Sequence, residues 1–288
     1  MIGFALRAAT AAIIALAPFA ALADDGGLCA GAPGLASILP PLEHSAARID
    51  AGGPLTIVAV GSSSTAGTGA SSPDRTYPSQ LERELRQRFP KLDIDVVNHG
   101  KGGEDAPEEL ARLGRDVVAA NPDLAIWQVG TNAVLRRDDL AADGEWMREG
   151  IDILKRHGID VVLMDLQYAP RVLDRPAYQA MEDLIAETAE RAQVGLFRRF
   201  ALMNYWQRNH SPDAPAMIGD DGIHMTDAGY SCLAANLAAA LEGNWRANAK
   251  LAQRAHGVAG LATPATNVAS PPAAPAPALR RKDAIPFN

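Results

Sequence analysis

Histidine and cysteine are scarce in this chain of 288 residues, with six of one and two of the other. They form no H-E-x-x-H motif and no Cys/His cluster at zinc spacing, so neither a metal nor another cofactor is expected. Basic residues are outnumbered, 27 Lys and Arg against 34 Asp and Glu, for a net charge of −7. They nowhere form a run interleaved with aromatics, which argues against a nucleic-acid partner. Past the N-terminus no apolar stretch is long enough to span a bilayer. No internal repeat is visible.

What is present suits an exported globular protein. Apolar residues make up 48% of the chain, enough for a sizeable core. The length fits one domain of about 200 residues with appendages. Residues 1–23 read as a signal peptide. Arg7 supplies a short positive region, residues 8–20 are apolar, and Ala21-Leu22-Ala23 forms an A-x-A cleavage site before Asp24-Asp25. The expected location is therefore periplasmic or secreted, with no transmembrane segment after cleavage. An uncleaved anchor helix is the alternative. Export permits disulfides, and Cys29 and Cys232 both survive cleavage. A bridge between them and two free thiols both stay open, because spacing in sequence does not give a distance. Cys29 follows Gly26-Gly27-Leu28, which does not look like a lipid-attachment box.

Residues 24–53, rich in Gly, Ala and Pro, read as an N-terminal arm with room for one short helix. Residues 54–250 form the expected domain. Within it, residues 55–60 are apolar and β-branched and are bounded by Gly52-Gly53-Pro54, the pattern of a strand buried on both faces. Further strands are expected at 94–98, 124–129, 159–166 and 194–197. Helical spacing predicts helices at 77–89, stopped by Pro90, and at 107–120, with Pro at its start. Others fall at 145–157, closed by Gly158, and at 176–192, 201–209 and 226–241, the last with Thr226 as N-cap. Strands alternating with helices mean an α/β fold with a parallel sheet covered on both faces. Ligands bind such sheets outside the carboxyl ends of the strands. Polar or Gly-rich turns follow Val60, Val97 and Val129, and these should converge on one edge. Residues 259–288, rich in Pro and Ala, read as a disordered tail.

An exported protein with no metal motif has few ways to hydrolyse a bond, and a side-chain nucleophile is one of them. Serine at its free pKa is a poor nucleophile and needs a base. Attack on an ester carbonyl then builds charge on oxygen, which needs waiting donors. Gly61-Ser62-Ser63-Ser64-Thr65 puts three hydroxyls at the end of the first strand. Asp221-Gly222-Ile223-His224 places a carboxylate three residues ahead of an imidazole, where it can orient the ring and stabilise its protonated form. His99, in the turn after the second strand, lacks such a carboxylate and reads as structural or substrate-lining. The chain thus supplies, in order, Ser63, Gly103, Asn132, and Asp221 with His224. Trp127 reads as core. Gln167-Tyr168-Ala169-Pro170 could line a pocket or form a plain loop, and Asn204, Trp206 and Arg208 could reach a sugar.

These blocks resemble the SGNH/GDSL hydrolase superfamily. Its G-D-S-x-T block is similar to Gly61-Ser62-Ser63-Ser64-Thr65, and its Asn with a Gly-rich turn is similar to Asn98-His99-Gly100-Lys101-Gly102-Gly103. Its G-T-N-D block resembles Gly130-Thr131-Asn132-Ala133, and its D-x-x-H block resembles Asp221-Gly222-Ile223-His224. The likeness runs over residues 55–241. It implies a three-layer α/β/α sandwich around a central parallel five-stranded sheet, flavodoxin-like. It further implies Ser63 as nucleophile, His224 as base and Asp221 as its partner. The oxyanion hole would come from the Ser63 and Gly103 N–H groups and the Asn132 amide, with Gly102 the rival to Gly103. Two positions depart from the pattern, Ser62 and Ala133, each where Asp is usual. Their loss is expected to remove contacts that brace the turns.

The function expected is an exported serine esterase acting on a small-molecule or polymer-borne ester, with small acyl groups on a carbohydrate or envelope polymer favoured. A lysophospholipase, thioesterase or acyltransferase would use the same residues. A non-catalytic envelope or carbohydrate-binding module on the same scaffold is the reading from a different class.

Overall fold

The structure, a computed structural model, describes residues 29–31, 34–35, 37–136, 140–209, 211 and 213–259, of which 252–259 by backbone alone. The expected signal peptide and all but the first residue of the expected tail lie outside them. Five parallel strands form one sheet: β1 Leu55–Gly61, β2 Ile94–Gly100, β3 Leu124–Gln128, β4 Asp160–Met164 and β5 Gly195–Phe197. Their order is β2-β1-β3-β4-β5. β1 pairs with β2 from Leu55↔Ile94 to Gly61↔Gly100, and with β3 from Ile57↔Leu124 to Val60↔Trp127. The direction of winding therefore reverses at β1, which opens a crevice at the carboxyl ends of β1 and β3.

The helices, in chain order, are α1 Glu43–Asp50, α2 Ser63–Ala66, α3 Tyr77–Arg88, α4 Ala106–Asp116 and α5 Thr131–Arg136. Then follow α6 Leu140–Arg156, α7 Pro170–Leu173, α8 Tyr178–Ala192, α9 Arg199–Asn209 and α10 Asp227–Ala259. Alternation along the strands sorts the core into two layers. Leu55, Ile57, Ala59, Ile126 and Met164 face α1, α3, α9 and α10. Val58, Val60, Ala125, Trp127 and Leu163 face α4, α5, α6 and α8. None of these helices is long and apolar enough to cross a membrane, among the described residues.

Several elements differ from the sequence reading. The segment expected as an arm packs into the fold: Ile38, Leu42 and Ala46 lie in the same core layer as α10. Asn244 holds it there, accepting from Leu42 N–H and donating to the Ile38 and Pro40 carbonyls at 2.9 Å each. Cys29 and Cys232 are disulfide-bonded, which joins this segment to α10 across 203 residues. Closing a loop of that length removes roughly 5 kcal/mol of entropy from the unfolded chain. α2, α5 and α7 were not expected, because each is a turn or two long and carries no repeating apolar pattern. The helix expected over 107–120 ends at Asp116 and tightens into a 3₁₀ turn, Val118–Ala120. α10 continues past the expected 241 to Ala259.

Trp127 is fully buried and is core, as its apolar strand implies. Its indole Nε1–H donates to Glu109 Oε2 at 2.7 Å, inside the layer between sheet and α4. Burial pushes the Glu109 carboxyl up from 4.5 to about 8, against the opposing effect of the Trp127 bond. In the unfolded chain this group ionises near its ordinary value. Its contribution to stability is therefore complete below that value and is lost as pH rises through the folded one. Glu109→Gln keeps an acceptor for Trp127 and cannot ionise. Thermal melts should find its Tm equal to the parent's near pH 4. At pH 9 it should be higher by about 4 °C or more, each kcal/mol being worth about 2–4 °C at this size. Parallel pH dependences in the two proteins would rule out a titrating Glu109.

Candidate active site

β1 runs out at Gly61, and the chain turns directly into α2. Ser62 and Ser64 are buried, 3% and 1% exposed, whereas Ser63 stands half-exposed between them. Gln128, the last residue of β3, holds the turn in place. Its Oε1 accepts from Ser62 N–H and Ser62 Oγ at 3.1 Å each, and from Thr65 Oγ1 at 3.3 Å. The expectation that losing Asp at position 62 leaves this turn unbraced is thus corrected: the brace comes from the neighbouring strand. At the other departure, Ala133 is buried in the core layer, where a carboxylate would have to be desolvated. The third turn is held instead by Thr131 Oγ1, which donates to Gln167 Oε1 at 2.9 Å.

Asp221 and His224 sit on a tight loop closed by the bridge Ile218↔Met225. Gly219 N–H donates to the His224 carbonyl at 2.9 Å. Asp221 Oδ1 accepts from Ile223 N–H at 3.0 Å and His224 N–H at 2.9 Å, while Oδ2 lies 2.5 Å from His224 Nδ1. His224 Nε2 lies 2.8 Å from Ser63 Oγ. Burial pushes the Asp221 carboxyl up, but the bonds from Ile223 and His224 outweigh it and hold the group at about 2. Asp221 thus stays ionised throughout the working range and keeps the ring oriented. A hydroxyl, a base and a carboxylate in this chain are what nucleophilic attack on a carbonyl requires.

The second turn completes the site. Asn98 Oδ1 accepts Gly100 N–H at 2.9 Å and bends the chain into residues 101–104. Gly100 is forced by space, since a Cβ there would run into Ala66 N and the Thr65 carbonyl carbon. A Cβ on Gly102 would stand 3.9 Å from Ser63 Cβ, so this loop borders the nucleophile. Gly103 adopts φ +82°, a conformation that costs glycine little. Its carbonyl accepts from Arg136 Nη2, and the next carbonyl, of Glu104, accepts from Asn132 Nδ2 at 2.6 Å. An amide nitrogen carries two N–H groups, so one remains on Asn132. Among the described residues, neither Ser63 N–H nor Gly103 N–H donates to another protein group. Unspent donors around a nucleophile can stabilise an oxyanion.

All five expected residues therefore fall on one edge of the sheet. Others do not contribute as expected. Trp206 is 2% exposed and belongs to the core layer, so it cannot reach a sugar. Gln167 is buried and braces two turns: besides Thr131, it donates from Nε2 to the Ile223 carbonyl at 3.4 Å. Tyr168 and Pro170 line a cleft of about 570 Å³ with Leu173, Met217, Ile218 and Gly219, on the Asp221 side of the site. The His99 carbonyl is an acceptor for Arg112 Nη1 at 2.8 Å. Gln128 and Arg112 went unassigned in the sequence, and Gln167, read there as pocket lining or plain loop, is a brace instead. A lone polar residue ending the fully apolar strand 124–128 was the one available signal, and it marked Gln128. Among the described residues no group of three His, Cys, Asp or Glu could hold a metal.

Sheet order, flanking layers and the Ser63–His224–Asp221 chain define an SGNH-type serine hydrolase, a class that acts on ester bonds. The chain belongs to the non-GDSL lipase-like family, whose model matches residues 28–246. That description fits Ser62, where the more usual motif has Asp. An arylesterase from Vibrio mimicus is 28% identical over 152 residues, 52% of this chain and 70% of that protein. TesA superposes with a TM-score of 0.56 at 24% identity, over 66% of this chain and 99% of its own. Axe2, an acetylxylan esterase from Geobacillus stearothermophilus, gives 0.56 at 22% identity, over 67% and 97%. A two-domain esterase active on acetylated mannans gives 0.59 at 20% identity, over 70% and 52%. At these identities the three structures share the fold.

Asn132 tests the oxyanion side. An amide that meets a fully charged oxygen only in the tetrahedral intermediate contributes to rate, not to ground-state binding. Asn132→Ala should lower kcat by roughly 10²–10³-fold in steady-state ester hydrolysis, with a much smaller change in KM. A raised KM with kcat preserved would make Asn132 a substrate-binding residue instead.

Proposed function

We propose that this protein hydrolyses carboxylic esters through an acyl-enzyme on Ser63. The hydrogen-bonded chain Ser63–His224–Asp221, at 2.8 and 2.5 Å, carries this reading. Ser63 Oγ attacks the ester carbonyl and its proton passes to His224 Nε2. The oxyanion meets the N–H groups of Ser63 and Gly103 and the free N–H of Asn132. Collapse expels the alcohol, which takes the proton from His224. Water then attacks the acyl-enzyme with His224 as base, releasing the acid and regenerating Ser63.

The substrate we infer carries small acyl groups on a carbohydrate or envelope polymer. Support comes from what is said of two fold neighbours, one an acetylxylan esterase and one active on acetylated mannans. A second reading, an apolar acyl or aryl ester, draws on the arylesterase relative and on the cleft formed by Tyr168, Leu173, Met217 and Ile218. We further infer that the chain works after export, with residues 1–23 removed. The Cys29–Cys232 disulfide supports this, since such bonds persist in oxidising compartments.

A fluorophosphonate should label the protein at one site, Ser63. Peptide mass mapping should show labelling abolished in Ser63→Ala and retained in Ser62→Ala and Ser64→Ala. No labelling of the parent would favour a non-catalytic module. Rates across esters graded by acyl length and alcohol then separate the two substrate readings. N-terminal sequencing of the protein recovered from its native host should begin at Asp24; recovery of Met1 would refute export by cleavage.

A further inference from the structure

Arg112 is a buried cation that the mechanism does not use. It sits on α4, 6% exposed, and spends its guanidinium in several directions. Nη2 donates to the Gly61 carbonyl at 3.2 Å, the last residue of β1. Nη1 donates to the His99 carbonyl at 2.8 Å, near the end of β2, and to Asp116 Oδ2 at 3.0 Å. Nε donates to Glu104 Oε2 at 2.5 Å. The other Glu104 oxygen, Oε1, meets Lys101 Nζ at 2.7 Å. Burial raises the Glu104 carboxyl, and the Lys101 and Arg112 contacts more than reverse this and keep it ionised.

These contacts converge on the loop that borders the nucleophile. Lys101 N–H shares the Gly61 carbonyl with Arg112, at 2.9 Å. Glu104, gripped by its side chain, offers its main-chain carbonyl to Asn132 at 2.6 Å. Directly after Glu104, α4 opens with a capping box formed by Asp105 and Glu108, which fixes the helix that carries Arg112. Arg112 therefore ties together the ends of β1 and β2, the loop 101–104 and, through one residue, the Asn132 amide. Its charge is met by Glu104 and Asp116, so little of it is left to attract substrate.

We propose that Arg112 is a positioning residue for the oxyanion side of the site, holding loop 101–104 so that Gly103 N–H and the Asn132 amide face one point. The inference rests on the hydrolase reading of Ser63 given above. A planar fork reaches carbonyls and carboxylates lying in different directions; a lysine ammonium on a flexible stem cannot hold the same set. Donors displaced by about an ångström can cost 10²-fold in rate. Binding of the uncharged ester does not depend on them, and neither Asp221 nor His224 touches Arg112.

Arg112→Lys keeps a cation and loses the fork. Steady-state kinetics on an activated ester should show kcat lowered about 10–100-fold with KM nearly unchanged. The acid limb of the pH–rate profile should stay where the parent has it, because Asp221 and His224 are undisturbed. Glu104→Gln keeps an acceptor for Nε without the ion pair, and should show the same split more mildly, severalfold in kcat. Parental kcat in Arg112→Lys, a raised KM with kcat intact, or a displaced acid limb would each overturn the proposal. Should Arg112→Lys fail to fold by circular dichroism, parental kcat in Glu104→Gln overturns it. Fluorophosphonate labelling separates the two layers of the argument. A parent that does not react at Ser63 defeats the hydrolase reading. A reactive parent whose Arg112→Lys and Glu104→Gln forms react at the parental rate defeats Arg112 alone.

Discussion

The pairing of β1 with a neighbour on each side is the constraint from which the site follows. Between β2 and β3, and with a helical layer on each face, β1 has no freedom in position or register. Its ladder with β2 ends at Gly61↔Gly100, and there the main-chain polar groups lose their strand partners. Buried N–H and C=O groups must then be satisfied by something else. Lys101 N–H and Arg112 supply donors for the Gly61 carbonyl, Arg112 another for His99, and Gln128 an acceptor for Ser62 N–H. Satisfying these groups shapes the turns that present Ser63 and Gly103.

Buried polar side chains carry the same logic across the other half of the edge. Arg199 is fully buried, and its Nη2 donates to the Asp165 carbonyl and to Gln167 Oε1. Gln167 in turn joins Thr131, beside Asn132, to Ile223, beside His224. Nearby, Glu182 accepts Leu166 N–H, and burial together with the adjacent Asp165 carboxyl pushes it far up, so it keeps its proton. Burial also raises the Asp165 carboxyl, and the nearby Arg199 charge works against that rise. The outcome is a second brace, independent of Arg112, between the amide side and the base side of the site.

The two departures from the usual motifs make sense within this scheme. An Asp at position 62 would brace its turn from within the loop. Here the glutamine at the end of β3 does so from the adjacent strand, and a neutral Ser62 suits a neutral partner. Ala133 frees its position for the packing of α5 against the sheet, and Thr131 takes over the polar contact. Neither the Ser62 nor the Ala133 side chain hydrogen-bonds to Ser63, His224 or Asp221.

The order of strands and helices was legible in the sequence because it depends on local patterns: β-branched runs, apolar spacing, and Gly or Pro at the ends. The sequence order Ser63, Gly103, Asn132, Asp221, His224 was legible too, as was the gathering of the three turns after β1, β2 and β3 on one edge, since parallel strands all end on the same side. Short helices such as α2 and α5 were not legible, because a turn or two has no period to detect. Position in the block favoured Ser63 over Ser62 and Ser64, and the tertiary structure supplies the physical reason. It buries the outer two and brings to the middle one an imidazole 161 residues away. Tertiary structure decided the Cys29–Cys232 bond across 203 residues and the braces from Gln128, Gln167 and Arg112. Each of these joins residues far apart in the chain. Such contacts exist only after the sheet order is set, and no property of the residues in isolation encodes the distance between them.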